Sequence, residues 1–149
     1  MVELPRTLYE EIVGHAQAGW PDEVCGLIGG QSRPDRTYRI ANTAETPQVR
    51  YLMDPAEQFA AMMDIEGRGW VLYGIYHSHP STEAYPSATD RGLAFYPDAV
   101  YLICSLADRE KPVLRAFMII DDEVREQGLR ITEADPGAPD SSKVRSTFP

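Results

Sequence analysis

The chain has 149 residues, 43% of them hydrophobic, enough for one domain with a substantial core, and no segment repeats. A formal net charge of −9 and a pI near 4.7 argue against nucleic acid, whose phosphates reward a basic patch. No apolar run reaches the roughly 18 residues of a membrane span and no N-terminal signal pattern is present, so the expectation is a cytoplasmic protein without membrane contact.

In chain order, residues 7–16 read as a first helix with apolar side chains at 8, 12 and 16, and His15 is expected at its surface or end. Residues 24–28 and 37–41 read as strands joined through a Gly-Gly and proline-containing turn. Asp54-Pro55-Ala56-Glu57 opens a second helix, because aspartate caps, proline suits the first helical position and an acid follows in the first turn. Phe59, Met62 and Met63 form an apolar stripe running toward Ile65, expected in the core. The short, β-branched and aromatic run 71–76 reads as a buried strand leading into His77.

A proline-rich loop follows, then a third helix over about 89–95, strands over 99–106 and 113–120 around the charged turn 107–112, a turn at 121–123, and a weaker strand over 124–131. That order suits an α/β fold, a single-domain mixed β-sheet flanked by helices. From residue 133 the chain is rich in Pro, Gly, Ser and Asp, so the expected division is a domain over 1–132 and a flexible tail over 133–149. Cys25 and Cys104 both fall in core strands and require no disulfide.

The chemistry concentrates after the strand at 71–76. Of three histidines in the chain, two are His77 and His79. Positions i and i+2 of a strand share a face, so the two imidazoles point the same way, and a carboxylate returned by the next turn, Asp90, supplies a third ligand. Pro80 and Pro86 bracket the loop that makes this return. Each piece alone has an ordinary explanation, since paired histidines occur on surfaces and Ser87-Ala88-Thr89-Asp90 matches a helix-start pattern. Joined, they favour a metal.

His77-Ser78-His79, seven residues from Pro80, then Ser87 and Asp90 resemble the JAMM (MPN+) metalloprotease signature, and Glu23-Val24-Cys25-Gly26-Leu27 matches the upstream glutamate in its usual setting. The resemblance spans roughly residues 7–132 and implies a cytidine-deaminase-like α/β fold. It implies that His77, His79 and Asp90 bind Zn²⁺, that Glu23 takes a proton from the attacking water, and that Ser87 steadies the oxyanion. Ligand type alone leaves Fe²⁺ or Co²⁺ open. Cys25, two positions after Glu23, is expected to be a small core residue rather than a ligand.

The wording around His77 and Ser87, with no long insertions, is similar to a bacterial branch, the cysteine hydrolases acting on sulfur-carrier proteins. That likeness implies cleavage of the amide bond after the C-terminal glycine of a ubiquitin-like sulfur-carrier protein ending in Gly-Gly, with release of cysteine in a cysteine biosynthesis route. The alternatives are a deubiquitinase-like isopeptidase removing such a modifier from protein lysines and, less favoured because the ligand set is complete, a non-catalytic MPN scaffold. The carrier tail is expected to add as a strand to a sheet edge. No pattern encodes the oligomeric state, and a homodimer is plausible.

Overall fold

The computed structural model of the chain describes residues 1–133. The elements run β1 (Val2–Pro5), α1 (Arg6–Gly19), β2 (Cys25–Gly30), β3 (Pro34–Ile40), α2 (Pro55–Gly67), β4 (Val71–His79), α3 (Ala88–Gly92), β5 (Val100–Ser105), β6 (Val113–Ile120), β7 (Glu123–Gln127) and β8 (Leu129–Thr132). Six strands form one sheet in the order β3-β2-β4-β5-β6-β7, in which only β4 and β5 are parallel. This is the expected mixed sheet with helices against it.

The sheet buries both faces, which is why β2 and β5 are buried at every position. Leu8, Ile12 and Ala16 of α1 close a core over Ile28, Tyr76, Leu102 and Cys104 on one face. Ala61 and Ile65 of α2 close a second core over Cys25, Leu27, Ile75, Tyr101 and Ile103 on the other. Each such large aliphatic side chain contributes about 1.5–3 kcal/mol by leaving water. Gly26 lets the strands pass beneath the Tyr76 ring, since a Cβ there would stand 2.2 Å from it.

Several expectations change. The stripe on α2 is only partly core: Met62 packs against the second core, but Phe59 and Met63 are 67% and 52% exposed, because at 100° per residue they lie across the helix from Ala61 and Ile65. His15 is half-buried rather than superficial, with Nδ1 2.7 Å from the Tyr76 hydroxyl. The third helix stops at Gly92, short of 95. Residues 124–131 are not one strand: the chain ends β7 at Gln127, and β8 pairs in parallel with β1, a strand the sequence reading omitted. The tail expected over 133–149 lies, apart from Glu133, outside the described residues. Among the described residues, no helix is long and apolar enough to cross a membrane.

Candidate metal centre

His77 and His79 occupy the last turn of pleat of β4, between antiparallel β2 and parallel β5. Strand alternation puts them on the α2 face with Ile75, while Tyr76 packs on the α1 side. Beyond His79 the loop is anchored rather than free. Ser105 Oγ donates to the Thr82 carbonyl at 2.5 Å, Ala84 and Pro86 are buried, and the Tyr85 ring meets Phe117 edge-on at 5.5 Å. His79 Nδ1 lies 2.7 Å from the Glu83 carbonyl, which only accepts, so Nδ1 carries a proton and a neutral ring offers its lone pair at Nε2.

Ser87 starts α3 with a capping box: its Oγ accepts from Asp90 N at 3.0 Å, and Asp90 Oδ2 accepts from Ser87 N at 2.9 Å. The same Oδ2 stands 2.9 Å from His79 Nε2 and 3.1 Å from His77 Nε2, and the two Nε2 atoms are 3.1 Å apart. Ligand atoms about 2.0–2.2 Å from one ion at tetrahedral angles stand roughly 3.3 Å apart. The three atoms therefore fit a common divalent cation. His77 and His79 are buried and Asp90 half-buried, so these three residues would hold an ion at the floor of the site.

Glu23 reaches this floor through the sheet. Cys25 pairs with His77 and Gly26 with Tyr76, and the ladder continues as Ser78 N donates to Val24 O at 3.0 Å. The next residue in register puts Glu23 opposite His79, on the face shared by both imidazoles. Its side chain is 5% exposed, and Oε1 is buried without a partner among the described residues. A buried carboxylate oxygen left unpaired is costly unless something else occupies its reach.

Burial pushes the Glu23 carboxyl up to about 7, with His79 and Arg50 pulling down and Asp90 pushing further up. Burial also lowers His77. Burial opposes charge on His79 too, but the Asp90 and Glu83 hydrogen bonds outweigh it and raise the imidazole. Burial disfavours ionised Asp90, yet the hydrogen bonds from His77 and His79 prevail and hold it well below the usual carboxylate range. The pocket thus keeps a negative oxygen beside Nε2 atoms that take up either a proton or a metal. Burial raises Cys25 to about 12, as befits an inert core thiol; its Sγ contacts the Ile40 carbonyl at 3.4 Å.

All five expected residues, Glu23, His77, His79, Ser87 and Asp90, meet at this place. Three neighbours carried no signal strong enough to single them out. Ser78, between the two histidines in sequence but facing the α1 side, accepts from Val24 N at 2.8 Å through its fully buried hydroxyl. Asn42 uses its whole amide: Nδ2 donates to the Glu23 and Arg50 carbonyls at 2.9 and 3.1 Å, and Oδ1 accepts from Ala44 N and Leu52 N, each at 3.0 Å. Tyr51 lays its ring 4.6 Å from that of His77.

A mixed sheet presenting two strand histidines and a helix-cap aspartate around one ion position, with a buried glutamate opposite, defines a JAMM-type peptidase. The family described as prokaryotic homologs of the JAB domain matches residues 5–120, and the chain belongs to it. It is 38% identical over 129 residues to a CysO-cysteine peptidase of Mycobacterium tuberculosis, covering 85% of this chain and 88% of that one. A desampylase of Haloferax volcanii is 37% identical over 129 residues, covering 82% and 90%. A solution structure of a protein from Desulfitobacterium hafniense superposes with a TM-score of 0.80 at 41% identity, covering 89% of this chain and 94% of that one.

Proposed function

We propose that this chain is a zinc-dependent hydrolase that cleaves the amide bond after the C-terminal glycine of a ubiquitin-like sulfur-carrier protein, releasing cysteine for its biosynthesis in the cytoplasm. The observation that carries the reading is the triangle of His77 Nε2, His79 Nε2 and Asp90 Oδ2, facing an unpartnered Glu23 carboxylate. Held by those three atoms, Zn²⁺ would supply Lewis acidity, lowering the pKa of the attacking water and polarising the scissile carbonyl.

Glu23, in its carboxylate form, takes the proton of the attacking water and returns it to the leaving amine. A value near 7 suits both halves of that exchange. Ser87 Oγ accepts the helix-cap hydrogen bond from Asp90 N with a lone pair, so its hydroxyl proton stays available to the developing oxyanion. Buried Cys25 and Cys104 are free thiols, in keeping with a reducing compartment.

The relative named as a CysO-cysteine peptidase supports the leaving group chosen here, whereas a Thermus thermophilus relative named as a probable TtuB-protein conjugate cleaving protease, 37% identical over 87 residues, supports a protein-conjugate substrate. Incubating the zinc-loaded protein with a carrier-cysteine adduct and a carrier-lysine isopeptide, each with and without chelator, tests the reading. Chelator-sensitive release of cysteine is expected. Equal release after chelation removes the metal from the mechanism, and cleavage of the isopeptide alone makes the protein an isopeptidase.

A further inference from the structure

The loop between β3 and α2 brings a cation to the rim of the site. Asn42 Nδ2 donates to the carbonyls of both Glu23 and Arg50, so one amide nitrogen holds those two main chains side by side. The next residue, Tyr51, lies on the His77 ring. The Arg50 side chain is exposed and makes no ion pair or side-chain hydrogen bond among the described residues, yet its charge is felt at the Glu23 carboxylate. Arg91, next to Asp90, differs: its Nε forms an ion pair with the Asp122 carboxylate at 3.4 Å. With 23 acidic residues against 14 basic ones, an arginine left unpaired beside the general base is out of keeping with the surrounding charge.

The leaving amine must come within hydrogen-bond reach of Glu23, which hands it a proton. When that amine belongs to a free α-amino acid, a carboxylate hangs from the carbon next to it. A guanidinium on a long, flexible stem matches a carboxylate in a planar, two-pronged geometry. A lysine ε-amine inside a protein brings no such anion. We propose that Arg50 binds the α-carboxylate of the leaving amino acid and so selects carrier–amino acid adducts over lysine isopeptides. This inference rests on the hydrolase reading above and names the feature of the substrate that the site recognises.

The test uses three synthetic peptides and the zinc-loaded full chain: one ending in Gly-Gly-Cys as the free acid, the same peptide as its C-terminal carboxamide, and Gly-Gly joined to a lysine side chain inside a peptide. Wild-type protein is expected to favour the acid over the carboxamide about tenfold in kcat/KM, equivalent to roughly 1.4 kcal/mol. Arg50→Ala should bring the acid-to-carboxamide ratio of kcat/KM down to about one, while any effect of its lost charge on Glu23 falls equally on all three substrates, and Arg50→Lys should restore part of the preference. An acid-to-carboxamide ratio identical in wild type and Arg50→Ala overturns the inference.

A second readout does not need turnover. Calorimetric binding of the acid and carboxamide of a reduced-amide analogue, in which a methylene replaces the scissile carbonyl, should show the same Arg50-dependent difference. If the peptides are not cleaved but the analogue difference persists, the hydrolase reading fails and the carboxylate site stands. If cleavage occurs without any difference, the reverse holds.

Discussion

Ser78→Ala removes one hydroxyl from the face of β4 opposite the two imidazoles and touches neither ligand atom. Ser78 is fully buried, so no water replaces the Oγ that Val24 N reaches at 2.8 Å. A buried amide left without an acceptor costs about 1–3 kcal/mol, and the variant should unfold at correspondingly lower denaturant. Val24 also carries Glu23, which keeps two backbone ties of its own, N to Pro47 O at 2.7 Å and its carbonyl from Asn42, while Val24 O still accepts from Ser78 N. A displacement well below 1 Å follows, and a fall of about tenfold in kcat is expected, since a misplacement of 1 Å costs on the order of 10²-fold. Zinc content by elemental analysis should stay at the wild-type level.

The decisive comparison adds Glu23→Gln. Once the base is gone its anchor has nothing left to position, so Ser78→Ala should cost no further kcat in that background. If the tenfold loss persists there, Ser78 acts through the histidines and the assignment to Glu23 is wrong.

Glu23→Gln alone should retain zinc and lower kcat by about 10²–10⁴-fold, the usual contribution of a general base; near-normal turnover would take Glu23 out of the reaction. The Glu23 carboxyl accepts a proton only when ionised, so its capacity as a base is lost as pH falls through about 7; NMR titration of the metal-free protein should find it there, and a bound cation should move it lower. Asp90→Ala removes a ligand and an arm of the helix cap, and zinc affinity should fall at least about 100-fold, read by competition with a chromogenic chelator. Burial lowers His15 to about 4 from an ordinary 6.5, so the unfolded chain binds the extra proton between those values and stability is lost as pH falls through that window. Allowing for its half-exposed ring, the loss is about 2 kcal/mol at most, and His15→Gln should flatten it in pH-dependent urea melts.

The site was legible because its residues sit close in sequence and strand geometry is rigid. A two-residue spacing on β4 and a loop bracketed by prolines already point His77, His79 and Asp90 at one place, and Ser105 and Phe117 then anchor the loop. Glu23 was legible only through resemblance, since no local rule says that β2 will pair with β4 in the register that sets it opposite His79. Asn42 and Tyr51 escaped for a related reason: their meaning lies in carbonyls and rings brought from elsewhere in the fold. The misplaced part of the α2 stripe reflects a choice between two helix faces: Ala61 and Ile65 pack on the sheet, while Phe59 and Met63 face outward. The break at Gly128 and the strand at Val2–Pro5 depend on pairing between the two ends of the described chain, a contact that no local pattern encodes.

One oxygen, Asp90 Oδ2, serves as a helix cap and faces both imidazoles. A helix of five residues has little stability of its own, so it owes its existence largely to that cap. Winding α3 and assembling the ion cage are therefore one cooperative event. A descendant that drifted away at Asp90 would shed the cage, the helix start and the orientation of Ser87 together. Loss of activity in such lineages should look abrupt, an all-or-nothing decay rather than a graded one.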